Sequence, residues 1–212
     1  MLCDGNGQPP HLGIRRHVVF QSHTFPLRHV DWPWPSAGAD SEATVPRVSA
    51  GLLLYRVGAG GGIEVLLVHP GGPFWARKDA GAWSIPKGEY DQGDDPAARA
   101  EEEFAEELGR DAPPGPRLDL GEVRQAGGKR VRAWAVHGDL DALATTSNTF
   151  EMEWPPRSGE HRSFPEVDKA AWFTLSEART KLLAGQLPLL ERLETITQSD
   201  SITQSEPRSE EG

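Results

Sequence analysis

Glu102, Glu103, Glu106 and Glu107 crowd one short run of the chain, and three of them can act together. On an α-helix, residues three and four apart are neighbours, so Glu103, Glu106 and Glu107 share a face. Ala97, Ala100, Phe104 and Leu108 recur at helical spacing on a different stripe, the one a core would take. Such a helix is anchored by its apolar side chains while it gathers three carboxylates, which repel one another at this spacing. Hard divalent cations such as Mg²⁺ or Mn²⁺ take oxygen ligands, and a carboxylate trio is a place to hold them. A solvated acidic helix would carry the same glutamates, so the segment in front of them decides the reading.

That segment has a fixed spacing. Gly88 is followed by five residues, Asp94, seven residues, and then Glu102-Glu103-Phe104-Ala105-Glu106-Glu107-Leu108-Gly109. The pattern resembles the Nudix box, in which a glycine, five residues, an acid and seven residues lead into Arg-Glu-apolar-x-Glu-Glu-x-Gly-apolar. Gly88, Glu103, Phe104, Glu106, Glu107 and Gly109 match, and Asp94 stands for the family's glutamate. Two positions depart: Glu102 replaces the arginine, and Arg110 replaces the last apolar residue. The preceding Trp83 to Gly88 is similar to the strand and turn that enter the box, and a match over this length is far more specific than a lone glycine motif.

The resemblance implies a fold and a reaction. The fold is an α/β/α sandwich with a mixed β-sheet. The reaction is hydrolysis of a nucleoside diphosphate linked to another group, with bound Mg²⁺ or Mn²⁺ neutralising phosphate charge and acidifying a water. Carried over residue by residue, Glu103, Glu106 and Glu107 are metal ligands, with the carbonyl of Lys87 as a further one. Glu103 and Glu106 are candidates for the group that orients or deprotonates the water. Glu151 and Glu153, two apart on one strand face, are candidates from outside the helix. The family's arginine makes salt bridges that hold the carboxylates; here Arg99, four residues before Glu103, is placed to replace it.

Substrate contacts follow less directly. The Lys87 side chain can meet a phosphate as a point charge, and Arg77, Lys78, Arg157, His161 and Arg162 are further loop cations. Trp75, Trp83 and Trp154 offer faces to a nucleobase, although a core position is the commoner fate of tryptophan. The lead-in Ile85-Pro86-Lys87-Gly88-Glu89 is similar to that of dinucleoside polyphosphate hydrolases, which turns the expectation toward a nucleotide or dinucleoside polyphosphate substrate. A nucleotide-binding sensor with weak or no catalysis is the alternative, and Glu102 is the residue that favours it.

Composition narrows the remaining classes. The 212 residues suit one domain with tails. A net charge of −10 opposes broad attraction to duplex nucleic acid, and also repels a polyphosphate unless metals invert the local sign. The single cysteine, Cys3, rules out an intramolecular disulfide and suits a reducing cytoplasmic setting. No apolar run reaches membrane-spanning length. Zinc-ligand spacing and a GxxxxGK[ST] phosphate loop are both missing from the sequence. Nothing in the sequence specifies an oligomeric state.

Elements to position the carboxylates read clearly between two polar ends. Residues 1–46, rich in Gly, Pro and His, are expected to form a disordered arm, and residues 197–212, with ITQSDS and ITQSEP in near repetition, a disordered tail. Within 47–196, strands are expected at Val48–Val57, Glu64–His69 and Trp83–Ile85. The glutamate helix starts at Pro96, capped by Asp94 or Asp95, and stops at Gly109. Leu118–Gln125 and Lys129–His137 form a hairpin around Gly127-Gly128, with Val131, Ala133 and Ala135 alternating against Arg130, Arg132 and Trp134. Phe150–Trp154 and Ala170–Phe173 are further strands, and Ser176–Leu183 and Leu189–Ile196 are helical.

Overall fold

A strand buried on both faces has no polar side, and VSAGLLLYRV is such a run. The computed structural model describes residues 48–203; the expected N-terminal arm and the end of the expected tail lie outside the described residues. Strand β1 (Val48–Val57) is the hub. On one edge it pairs in parallel with β5 (Arg130–His137). Its other edge is divided: β3 (Lys87–Glu89) runs antiparallel to its first half and β2 (Ile63–Pro70) to its second. With β4 (Leu118–Arg124) outside β5 and β8 (Val167–Thr174) outside β2, the sheet reads β4-β5-β1-β2-β8.

Alternation along β1 sends its side chains to two cores. Ala50, Leu52 and Leu54 face α1 (Pro96–Leu108), meeting Ala100, Phe104 and Leu108. Leu53 faces the other layer, where Ala178 of α2 (Leu175–Lys181) and Leu189, Leu190 and Leu193 of α3 (Leu187–Thr203) close the core. The result is the expected α/β/α sandwich on a mixed sheet. Burial of Phe104 and Leu108 contributes ~1.5–3 kcal/mol each, which anchors α1 strongly enough to carry charged groups inward. Asp95, not Asp94, caps the helix, accepting the Ala97 N–H at 2.9 Å, with Pro96 in the first turn. Gly109 ends it at φ 68°, and its N–H returns to the Ala105 carbonyl at 2.8 Å.

Four expectations are corrected. Trp83 and Ser84 make only isolated bridges, to Leu182 and Val68, and the strand that pairs β1 comes after Pro86, which has no N–H to give a ladder. A strand not expected from the sequence, β7 (His161–Pro165), pairs with β6 (Thr149–Glu153) in a separate hairpin. Helix α3 continues to Thr203, past the Ile196 limit. The Thr197 and Ser199 hydroxyls return to the carbonyls of Leu193 and Thr195, both at 2.9 Å, so polar composition here extends the helix instead of ending it. The helix after β8 begins at Leu175, capped by Thr174 in a reciprocal box with Glu177.

Candidate active site

Glu103 and Glu107 are not on the solvent side of α1: both are 8% exposed. They point at β3, where Gly88 pairs with Ala50 of β1. A Cβ on Gly88 would lie 1.7 Å from Glu103 Cδ, so the carboxylate rests on bare backbone and only glycine permits it. Gly88→Ala is therefore expected to swing the end of the flexible Glu103 side chain out of place, at little cost to the fold but weakening Mn²⁺ binding in calorimetry. Unchanged Mn²⁺ affinity in that variant would show that the seat of Glu103 does not matter.

Burial raises the pKa of Glu103 to about 7, against the pull of Arg99 and with the help of Glu106. Burial likewise raises Glu107 to about 8, although Lys87 opposes this through its charge and through its backbone N–H, which donates to the Glu107 carboxylate. The Lys87 ammonium is itself buried, and desolvation pushes its pKa down despite the nearby Glu107, Glu103 and Glu89. One Glu107 oxygen, Oε2, is buried with no hydrogen-bond partner among the described residues. Glu106 is half exposed. Arg99 crosses the helix face: Nη1 meets Glu102 at 2.9 Å, Nη2 meets Glu103 and lies 3.7 Å from Glu106, and Nε donates to the Glu89 carbonyl at 3.3 Å.

A fourth carboxylate joins this cluster from outside the helix. Glu166 precedes β8, and its charge reaches Glu103, Glu106 and Glu107. Its own pKa is raised by burial and then by Glu106. Its backbone is pinned twice, the N–H donating to the Asn148 carbonyl at 2.8 Å and the carbonyl accepting from Gly71 at 2.9 Å. Glu151 and Glu153 do share one strand face, but it is the exposed face of β6, and Glu153 accepts the Gly159 N–H at 2.8 Å across the hairpin turn. Sequence reasoning overlooked Glu166; its signal was an acid placed immediately before the strand that pairs with β2.

The other candidates have structural places. Trp83 is buried, donating to Asp79 at 2.9 Å, and Trp154 packs edge-on against Phe74. His69 is buried between Asp168 at 2.7 Å and the Lys78 carbonyl at 2.8 Å. A groove of about 500 Å³ near Gly58, Glu64, Thr174 and Glu194 contains none of the clustered carboxylates.

The donors fit a hard divalent ion: they are all oxygen, one buried carboxylate oxygen lacks a partner, and a glycine seat leaves room for Glu103. Among the described residues, no three His, Cys, Asp or Glu side chains stand together as ready ligands. Arg99 Nη2 contacts Glu103 and lies 3.7 Å from Glu106. No helix among the described residues is long and apolar enough to cross a membrane.

Comparison with known proteins bears on the family and the fold. The NUDIX domain family model matches residues 45–193. Curated protein sequences give no match. Among solved structures, the binary complex of a C. elegans Ap4A hydrolase is similar, with 22% identity and a TM-score of 0.51 over 71% of this chain and 98% of that one. The NUDIX domain of Shewanella oneidensis NrtR, complexed with ADP ribose, is similar at 15% identity and a TM-score of 0.50, over 72% and 89% of the two chains. At these identities the structural likeness speaks to the fold, and the family model to descent: the chain belongs to the NUDIX domain family and is a Nudix pyrophosphohydrolase.

Proposed function

We propose that the protein hydrolyses a pyrophosphate bond in a nucleotide or dinucleoside polyphosphate, in a cytoplasmic setting and with Mg²⁺ or Mn²⁺ as cofactor. The observation that carries this reading is the buried Glu103–Glu107 pair with its unpartnered oxygen. Two carboxylates held out of water at such cost call for a cation richer in charge than one lysine. Glu103, Glu106, Glu107 and the Lys87 carbonyl would hold the ion, which when bound supplies charge neutralisation for the phosphates and a more acidic water. The short lead-in from Ile85 to Glu89 and the likeness to an Ap4A hydrolase support a dinucleoside polyphosphate. The ADP ribose held by the NrtR domain supports a wider class of nucleoside diphosphate compounds.

The chain's own groups divide the work. Glu166, half-buried and with a raised pKa, is the candidate to take a proton from the attacking water, since a base closer to neutral accepts one more readily. The water oxygen bonds to phosphorus as the bridging P–O bond breaks, and the leaving phosphate takes that electron pair. Arg99 neutralises the exposed side of the cluster. Lys87, proposed from the sequence as a phosphate contact, has its ammonium buried beside Glu107, so its role in this reading is to balance the carboxylates from within.

The test is a panel of nucleoside triphosphates, ADP ribose and dinucleoside polyphosphates incubated with Mg²⁺ or Mn²⁺, with products separated by chromatography. Metal-dependent cleavage of one class is expected. Glu166→Gln should lose roughly 10²–10⁴-fold in turnover, whereas Glu151→Gln and Glu153→Gln should change it less than about threefold, as exposed groups outside the cluster. Nucleotide binding with no turnover of any compound would replace the hydrolase reading with the sensor.

A further inference from the structure

Glu102 is one of the two residues by which this chain departs from the box pattern, and Arg99 is its partner. The guanidinium is shared unevenly between two settings. Nη2 is turned inward, in contact with Glu103 Oε1 and 3.7 Å from Glu106 Oε2. Nη1 is turned outward to Glu102, whose side chain is 63% exposed. A divalent ion held jointly by Glu103 and Glu106 would have to take the Glu103 oxygen that Nη2 contacts and come within reach of Glu106, where Nη2 already lies. The nitrogen and the ion cannot both be there. The outward pair with Glu102 does not stand in the way, because it lies on the solvent side of the same helix, one turn from Arg99. The unpartnered Glu107 Oε2, buried in the same cluster, marks a cation requirement that Arg99 leaves unmet.

We propose that Arg99 is the resident counter-ion of the Glu103–Glu106 position, that a divalent ion must displace it, and that Glu102 is the seat that keeps the displaced guanidinium on the helix surface. This rests on the metal-dependent reading above. It assigns Glu102 a purpose other than weakening the site: the departure at 102 and the arginine at 99 form one device. Arg99 holds the carboxylates together before the ion enters, at the cost of competing with it. Both residues are positioning residues, acting through Glu103 and Glu106.

The two roles of Arg99 predict opposite signs. Mn²⁺ affinity would be measured by calorimetry and by electron paramagnetic resonance of the free ion, using the full chain. If Arg99 competes, Arg99→Gln tightens Mn²⁺ binding roughly 3- to 10-fold, the scale of a partly exposed charge pair. Lys129→Gln, which removes a neighbouring cation paired with Glu89, should shift it less than about twofold; an equal gain there would reduce the effect to general charge and overturn the proposal. Glu102→Gln should weaken binding roughly two- to threefold in the wild-type background and not in Arg99→Gln, the coupling that a double-mutant cycle reads. Weaker binding in Arg99→Gln, or an undiminished Glu102→Gln effect beside it, overturns displacement.

The unaltered chain gives an independent check. The Arg99 Nε–H, bonded to the Glu89 carbonyl, should show a nitrogen-15 resonance that shifts and broadens as Mg²⁺ saturates; an unchanged signal at saturation also overturns the proposal. Wild-type protein that takes up no Mn²⁺ would sink both the metal-dependent reading and this one. Uptake with the wrong sign in Arg99→Gln would sink this one alone.

Discussion

Glu107→Gln is expected to cut turnover by roughly 10²–10³-fold, the loss typical of removing one aligned charge-stabilising group, while leaving the fold as stable as before or more so. The two halves of that expectation come from the same burial. Glutamine keeps the shape and can still accept the Lys87 N–H through its carbonyl, so packing against β3 is retained. What goes is the buried negative charge. In general, removing one member of a buried ion pair is costly because its partner is stranded. Here burial outweighs the attraction of Lys87 and raises Glu107 to about 8, so near neutral pH its replacement by an uncharged amide removes little ionic stabilisation. In chelator at pH 8 the thermal midpoint of Glu107→Gln should match or exceed that of the wild type. A variant that unfolds would show that the Glu107–Lys87 pair is ionised and holds the site together; a variant that folds and turns over normally would remove Glu107 from the metal site.

The sequence made α1 legible because its signals are local. Pro96 in the first turn, Gly109 at the end and the Ala100–Phe104–Leu108 stripe all lie within one helix, and so does the i, i+4 link from Arg99 to Glu103. The β4–β5 hairpin was readable for the same reason, through Gly127-Gly128 and strict alternation from Arg130 to Ala135. Glu166 was not readable, because it reaches the cluster only once β8 lies beside β2 and Gly71 bonds to its carbonyl. Glu151 and Glu153 show the converse: period two gave their shared face correctly, yet it could not tell that, among the described residues, β6 pairs only with β7, outside the main sheet. Nor could spacing say that the Lys87 ammonium turns inward; a point charge next to the box glycine looks the same in sequence whether it meets solvent or Glu107.

In chelator, the thermal midpoint should fall as pH rises from about 5 to about 8, and saturating Mg²⁺ or Mn²⁺ should reverse the slope. The sign follows from proton linkage. Glu103 and Glu107 have ordinary values of 4.5 and folded values of about 7 and about 8. Between those limits the folded protein binds more protons than the unfolded chain, so stability is fully present below about 4.5 and is lost as pH passes through the folded values. For Glu103 alone the shift corresponds to ~3 kcal/mol, or on the order of 5–10 °C for a domain of this size. Asp79, Asp139 and Glu177 have lowered values and act in the opposite sense, but below their ordinary range and so outside this window; Lys87, whose value burial also lowers, opposes the loss above its own folded value, one lysine against two carboxylates. A bound ion replaces the protons, because it requires the carboxylates ionised; its apparent affinity should therefore climb over the same pH interval in which the chelated protein weakens. Scanning calorimetry at four pH values, with chelator and with Mg²⁺, separates the cases. A midpoint that rises with pH in chelator would mean that Arg99 and Lys87 already neutralise both carboxylates, leaving no unmet charge for a divalent ion to satisfy.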